Sequence, residues 1–221
     1  QKEAETKIII DSFNDLCRKY GVKNDIWSKK DILKANNEIQ LDLEREANMI
    51  CAVATLYVMN RMFNYGAMRL YFLAQEIMRR ITNAYNNERT AYQFEEEMQL
   101  DCQLYVRERF SEKPEFTGTM DHIEKANALW TSVSIILNIA MYAVYRKCNF
   151  KRKKMNELCD YTVKVIRFII DKENLNDYRN ALFKCGLHMT ATGKIWVLPS
   201  IVSSYNTRYN WPDDDEILRV Y

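Results

Sequence analysis

The chain has 221 residues, of which 48% are hydrophobic and 28% charged, with a formal net charge of +2, five Gly, three Pro and six Cys. A chain of that length buries a core without disulfide or metal staples, and its balance of apolar and charged residues excludes a disordered polymer or a protein made largely of membrane spans. So few breakers exclude a meander of short strands, and a charge this small confines any attraction to polyanions to a local cluster.

Lys7 to Tyr20 places Ile8, Ile9, Phe13, Leu16, Cys17 and Tyr20 on a helical stripe, and Gly21 is a suitable stop. Ser28 with Asp31 is an S-x-x-D start signal, after which a helical pattern runs to about Phe63, with Asn36 and Asn37 expected to divide it into a short and a long helix. The pattern resumes from Ala67 to Tyr85, and again from about Thr90 to Phe110, where Phe94, Met98, Leu100, Leu104 and Tyr105 are expected to face inward. The loop from Ser111 to Met120, with Pro114 and Gly118, is the best internal boundary. Asp121 followed by Glu124 then opens an apolar helix to about Lys147. Within it Ala126 to Tyr145 is uncharged and of membrane-spanning length, but Asn127, Thr131, Ser132, Ser134 and Asn138 favour a buried core helix over a membrane span.

The second half resembles the first. A shift of 85 positions places Ile50 on Ile135, Tyr57 on Tyr142, Arg61 on Arg146, Asn64 on Asn149, Leu73 on Leu158 and Ile81 on Ile166. The stripe Leu70, Leu73, Ala74, Ile77, Ile81, Ala84 falls on Met155, Leu158, Cys159, Thr162, Ile166, Ile169, and both copies break at Asn followed by an aromatic residue. Asn tolerates the left-handed conformation that ends a helix, which gives both Asn residues a backbone reason. Leu187 to Leu198, with two short apolar runs around Ala191-Thr192-Gly193, predicts a small hairpin. Beyond Pro199 the tail reads as irregular, with Tyr205, Tyr209, Trp211 and Tyr221 packing down, and with Pro212 and Asp213 to Glu216 opening a short helix.

The expected fold is all-α: two similar long helical hairpins packed as a bundle, with a small β-hairpin and an irregular tail at the C-terminus. Residues 1–110 hold the first helical unit, 111–121 the loop, 122–186 the second unit, and 187–221 the hairpin and tail, within one compact domain.

For chemistry, the sharpest feature is the run from Arg146 to Lys154, where Arg146, Lys147, Lys151, Arg152, Lys153 and Lys154 supply six cations in nine residues. Such a turn suits an acidic protein surface, or phosphates in a helix–turn–helix reading with Arg152, Lys153 and Lys164 outward and Phe150 free to stack; a solvated turn is the plain alternative. Tyr209 and Trp211 offer a second partner-binding element in the tail. Glu95, Glu96, Glu97 and Asp101 read as an outer acidic face that pairs with the basic turn, because no E-x-x-H accompanies them and His122 and His188 are the only histidines. No metal site and no cofactor is expected. Neither G-x-S-x-G nor a phosphate-loop motif occurs: Thr190 to Lys194 lacks the spacing, and a pairing of Cys185 or Cys159 with His188 has only sequence nearness behind it. The six cysteines stand singly, with no C-x-x-C, and no secretory leader opens the sequence, so buried free thiols in a reducing cytoplasm are expected.

Met62 to Leu70 and Lys147 to Met155 resemble a turn found in small helical proteins of unassigned function encoded by phages and prophages of low-GC Gram-positive bacteria. There an apolar helix precedes an aromatic-Gly-x-aromatic-Gly-basic turn; the first copy here keeps Gly66 and the second keeps no Gly. The resemblance covers about 35 residues per copy. It implies a context of phage gene regulation, or of binding and inhibiting a host protein such as a defence component. A non-catalytic protein-binding module, possible inhibitor of a host protein, is therefore the first functional expectation, and a nucleic-acid-binding regulator using residues 146–154 the second.

Overall fold

The computed structural model describes residues 2–20, 28–85, 91–190 and 193–202. The chain is all-α, a helical bundle with one small antiparallel hairpin near the C-terminus. In order come α1 (Lys2–Tyr20), α2 (Lys29–Phe63), α3 (Ala67–Tyr85), α4 (Ala91–Cys102), a 3-10 turn (Arg107–Phe110), α5 (Met120–Cys148), α6 (Arg152–Lys172), α7 (Leu175–Lys184), β1 (Leu187–Met189) and β2 (Ile195–Val197). Two compact units divide it, Gln1–Arg45 and Glu46–Tyr221, so the loop 111–121 lies inside the second.

The first unit holds α1 and the start of α2. Its helix α2 is continuous through Asn36 and Asn37, where a break was expected. Two Asn residues lower helix propensity by only a few tenths of a kcal/mol each, and the Lys34–Glu38 pair at 3.8 Å bridges them one turn apart. Ile8 is exposed, and the side chains of Phe13, Leu16, Cys17 and Tyr20, like residue Gly21, lie outside what is described.

In the second unit the two hairpins share one design at their turns and along most of their inward stripes. The helices before the turns end at Phe63 and Cys148, and those after them start at Ala67 and Arg152, each pair 85 positions apart. Asn64 and Asn149 both take positive φ, 53° and 51°. Leu70, Leu73, Ala74, Ile77 and Ile81 of α3 are buried, and so are their counterparts Met155, Leu158, Cys159, Thr162 and Ile166 of α6. Three pairs depart: Ile50 is buried while Ile135 is exposed, and Tyr57 and Ala84 are half-buried where Tyr142 and Ile169 are buried.

Helix α5 packs against α3, α4, α6 and the 3-10 turn. By length and composition it is apolar enough to cross a membrane, and 67% of its apolar window is buried inside the protein. Thr119, rather than Asp121, caps it by accepting the backbone N–H of His122 at 3.3 Å. Helix α4 stops at Cys102, eight residues short of the expected Phe110, because Gln103 turns left-handed at φ 50° and Leu104 N–H closes back on Met98 C=O. That break swings Leu104 and Val106 into the core and leaves Leu100 (85% exposed) and Tyr105 outside, correcting two of the five inward positions. It also brings Arg107 onto Glu95, which is buried rather than part of the outer acidic face. In the hairpin, Leu187, Met189, Ile195 and Val197 point inward, with α3 packed against both strands. His188 stacks on its cross-strand partner Trp196.

Candidate functional site

The two turns meet at one end of the second unit. The Phe63 ring lies 4.9 Å from that of Phe150, the Tyr65 ring 6.3 Å from it, and the Tyr65 hydroxyl donates to the Cys148 sulfur. These contacts are reciprocal, position 63 of one copy meeting position 65 of the other and conversely, as a two-fold arrangement of identical hairpins would give. Each turn also lays its cation over its own ring, Arg69 over Tyr65 at 5.7 Å and Lys154 over Phe150 at 5.4 Å. The aromatic cluster therefore locks the turns together, and Phe150, at 8% exposed, is packed inward and not free to stack on a base.

Around this cluster the structure places all six predicted cations, Arg146, Lys147, Lys151, Arg152, Lys153 and Lys154, on the surface. Arg61 and Arg69, their neighbours from the first turn, are exposed as well and were not singled out from the sequence. The signal was there: Arg61 aligns with Arg146 and Arg69 with Lys154 under the same shift. Acidic neighbours occupy part of the group. Glu97 reaches Arg146 at 3.9 Å, Glu157 reaches Lys153 at 4.0 Å, and Asp101 accepts the Tyr145 hydroxyl one residue away, so part of the acidic face of α4 does approach the basic turn. Lys147, Lys151 and Arg152 make no ion pair or side-chain hydrogen bond among the described residues.

The placement of these cations is locally unfavourable. Lys151 is the N-cap of α6, with extended backbone at φ −87° and ψ 171°, yet it offers no side-chain acceptor, and the first turn that follows carries no acidic residue. The positive end of a helix dipole disfavours cations and favours Ser, Thr, Asp or Asn at this position. Four consecutive cations here oppose the helix they begin, a local conflict that the fold itself does not call for. No known family matches the chain, no curated protein matches it, and no solved structure matches it.

The other candidates are weaker in geometry. Cys51, Cys102 and Cys159 are buried free thiols, whereas Cys148 and Cys185, at helix ends, are only half-buried. Burial pushes the Cys159 thiol up to about 12 and raises that of Cys185, the opposite of what a nucleophile needs. Cys185 donates to Leu182 C=O at 2.9 Å, and His188 is held between Phe183 and Trp196. Thr190 and Lys194 bracket the hairpin turn, where Thr190 Oγ1 accepts Lys194 N–H. A cavity of about 180 Å³ is lined by Ile50, Leu129 and Ile169 together with His122, Lys125 and Glu173, but Lys125 is paired with Glu46 at 3.0 Å and His122 approaches Glu173 at 3.4 Å. Among the described residues, no group of three His, Cys, Asp or Glu is placed to hold a metal. Tyr209 and Trp211, like the acidic run from Asp213 to Glu216, lie outside the described residues.

Proposed function

We propose that this chain is a non-catalytic protein-binding module that docks the basic end of its bundle on an acidic protein surface in the cytoplasm. The supporting observation is the exposed cation group of residues 146–154, with Lys147, Lys151 and Arg152 unpaired among the described residues and four cations set where the helix dipole disfavours them. An acidic partner supplies the charge that the fold leaves out, steering association and fixing orientation. The resemblance of the two turns to phage-encoded helical proteins extends the proposal to an inhibitor of a host protein, such as a component of a defence system.

A nucleic-acid regulator using the same turn is the second reading. It is favoured by the uncapped N-terminus of α6, whose first-turn N–H groups and surrounding cations suit a phosphate. The burial of Phe150 weighs against it, because the turn then offers charge without a stacking surface. Affinity capture from nuclease-treated host extract, with wild type beside the variant carrying Ser at 151–154, tests the choice. An acidic protein retained by wild type and lost by the variant is expected; retention that disappears with nuclease treatment overturns the protein reading in favour of the second.

A further inference from the structure

Helix α6 carries the basic group into a second feature. Its buried side runs through Met155, Leu158, Thr162, Ile166 and Ile169, and on the opposite side Tyr161 (46% exposed) and Phe168 (50% exposed) stand seven residues apart, about 10 Å or two helical turns. Lys164 lies between them, its ammonium 5.1 Å from the Tyr161 ring centre, and Arg167 is exposed beside Phe168. Under the 85-residue shift the counterparts of Tyr161 and Phe168 are Glu76 and Asn83 of α3; Glu76 is only 12% exposed and held by Arg79 and Arg80, so that face of α3 is partly covered and the exposed aromatic pair has no counterpart there. Two exposed rings stand beside Lys164 and Arg167, with Lys153 and Lys154 about two turns before Tyr161; Glu157, paired with Lys153 at 4.0 Å, and Asp160, paired with Arg109 at 3.0 Å, share this side, so the apolar centre has a rim of net positive charge.

Resting on the protein-binding reading above, we propose that the outer face of α6 from Lys153 to Phe168 is a docking surface for an acidic amphipathic helix, with Tyr161 and Phe168 as its anchors. Anchors two turns apart match the i, i+7 spacing of apolar residues on a helix laid along α6, and Lys153, Lys154, Lys164 and Arg167 face acidic residues flanking that stripe. The Lys164 ammonium over the Tyr161 ring, and the two-turn gap between the rings, leave no continuous platform for stacked bases.

The test uses the full chain and a labelled synthetic peptide helix with Leu at two positions seven apart and Glu on both flanks, alongside a labelled oligothymidylate. Fluorescence anisotropy is expected to show saturable peptide binding that Tyr161→Ala with Phe168→Ala weakens about tenfold or more, as loss of an anchor pair does, while Tyr161→Phe retains it. Because both positions are exposed, an unchanged circular dichroism melt confirms that each variant is folded. Peptide binding that survives loss of both rings but fails in the Ser 151–154 variant overturns the docking face and leaves the basic-end reading standing. If the peptide fails to bind and the oligothymidylate binds with steep salt dependence, both fall.

Discussion

At the scale of single residues, Asn64 and Asn149 end their helices in the left-handed region, where a Cβ costs energy and a short amide side chain lowers the cost. Replacing Asn149 by Val should destabilise the chain by about 1–2 kcal/mol, whereas Gly should be tolerated, as measured by urea unfolding. Lys151 presents the reverse case. Its backbone already has N-cap geometry, so Lys151→Ser should add the missing cap and stabilise by about 0.5–1 kcal/mol; a loss of stability would mean that the lysine supports the fold. Glu95 is buried against Arg107, so Arg107→Ala should cost about 1–3 kcal/mol by leaving a carboxylate without its partner, and adding Glu95→Gln should recover part of it. Burial and its hydrogen bond to Cys148 raise the Tyr65 hydroxyl from an ordinary 10.0 to about 12. The folded state thus keeps a proton that the unfolded state releases. That stability is complete below the unfolded value and is lost as pH climbs through the folded one. Melting temperature should therefore fall from about pH 10 to about pH 12, and less steeply in Tyr65→Phe.

At the scale of elements, the helices bounded by Asn were legible because a residue that tolerates positive φ coincides with the end of an apolar stripe. Both turns, both inward stripes and the 85-residue repeat could be read that way. The end of α4 could not. Gln103 has no special liking for the left-handed region, and what holds it there is the burial of Leu104 and Val106 against the bundle, a tertiary effect that outweighs local preference. For the same reason Leu100 looked like a core residue, and the burial of Glu95 was hidden because its partner stands twelve positions later, across the break. The six cations were legible as a cluster, but the two turns had to fold against each other before Arg61 and Arg69 joined them. Tyr161 and Phe168 were invisible as a surface, since only the fold tells which side of α6 is covered.

At the scale of the whole molecule, the second unit combines a conventional apolar core with one end that violates helix-dipole preference. Its thiols follow the core: Cys51 and Cys159 should resist alkylation in the native protein and react on unfolding, whereas half-buried Cys148 and Cys185 should react first. The account rests on Lys151, Arg152, Lys153 and Lys154 being kept for a partner at some cost to the fold. The most direct test measures the variant with Ser at all four positions twice, for thermal stability and for capture of an acidic protein from nuclease-treated host extract. An equal or higher melting temperature together with lost capture is predicted. A lower melting temperature with capture retained would contradict it, making the cluster part of the fold and not of the function.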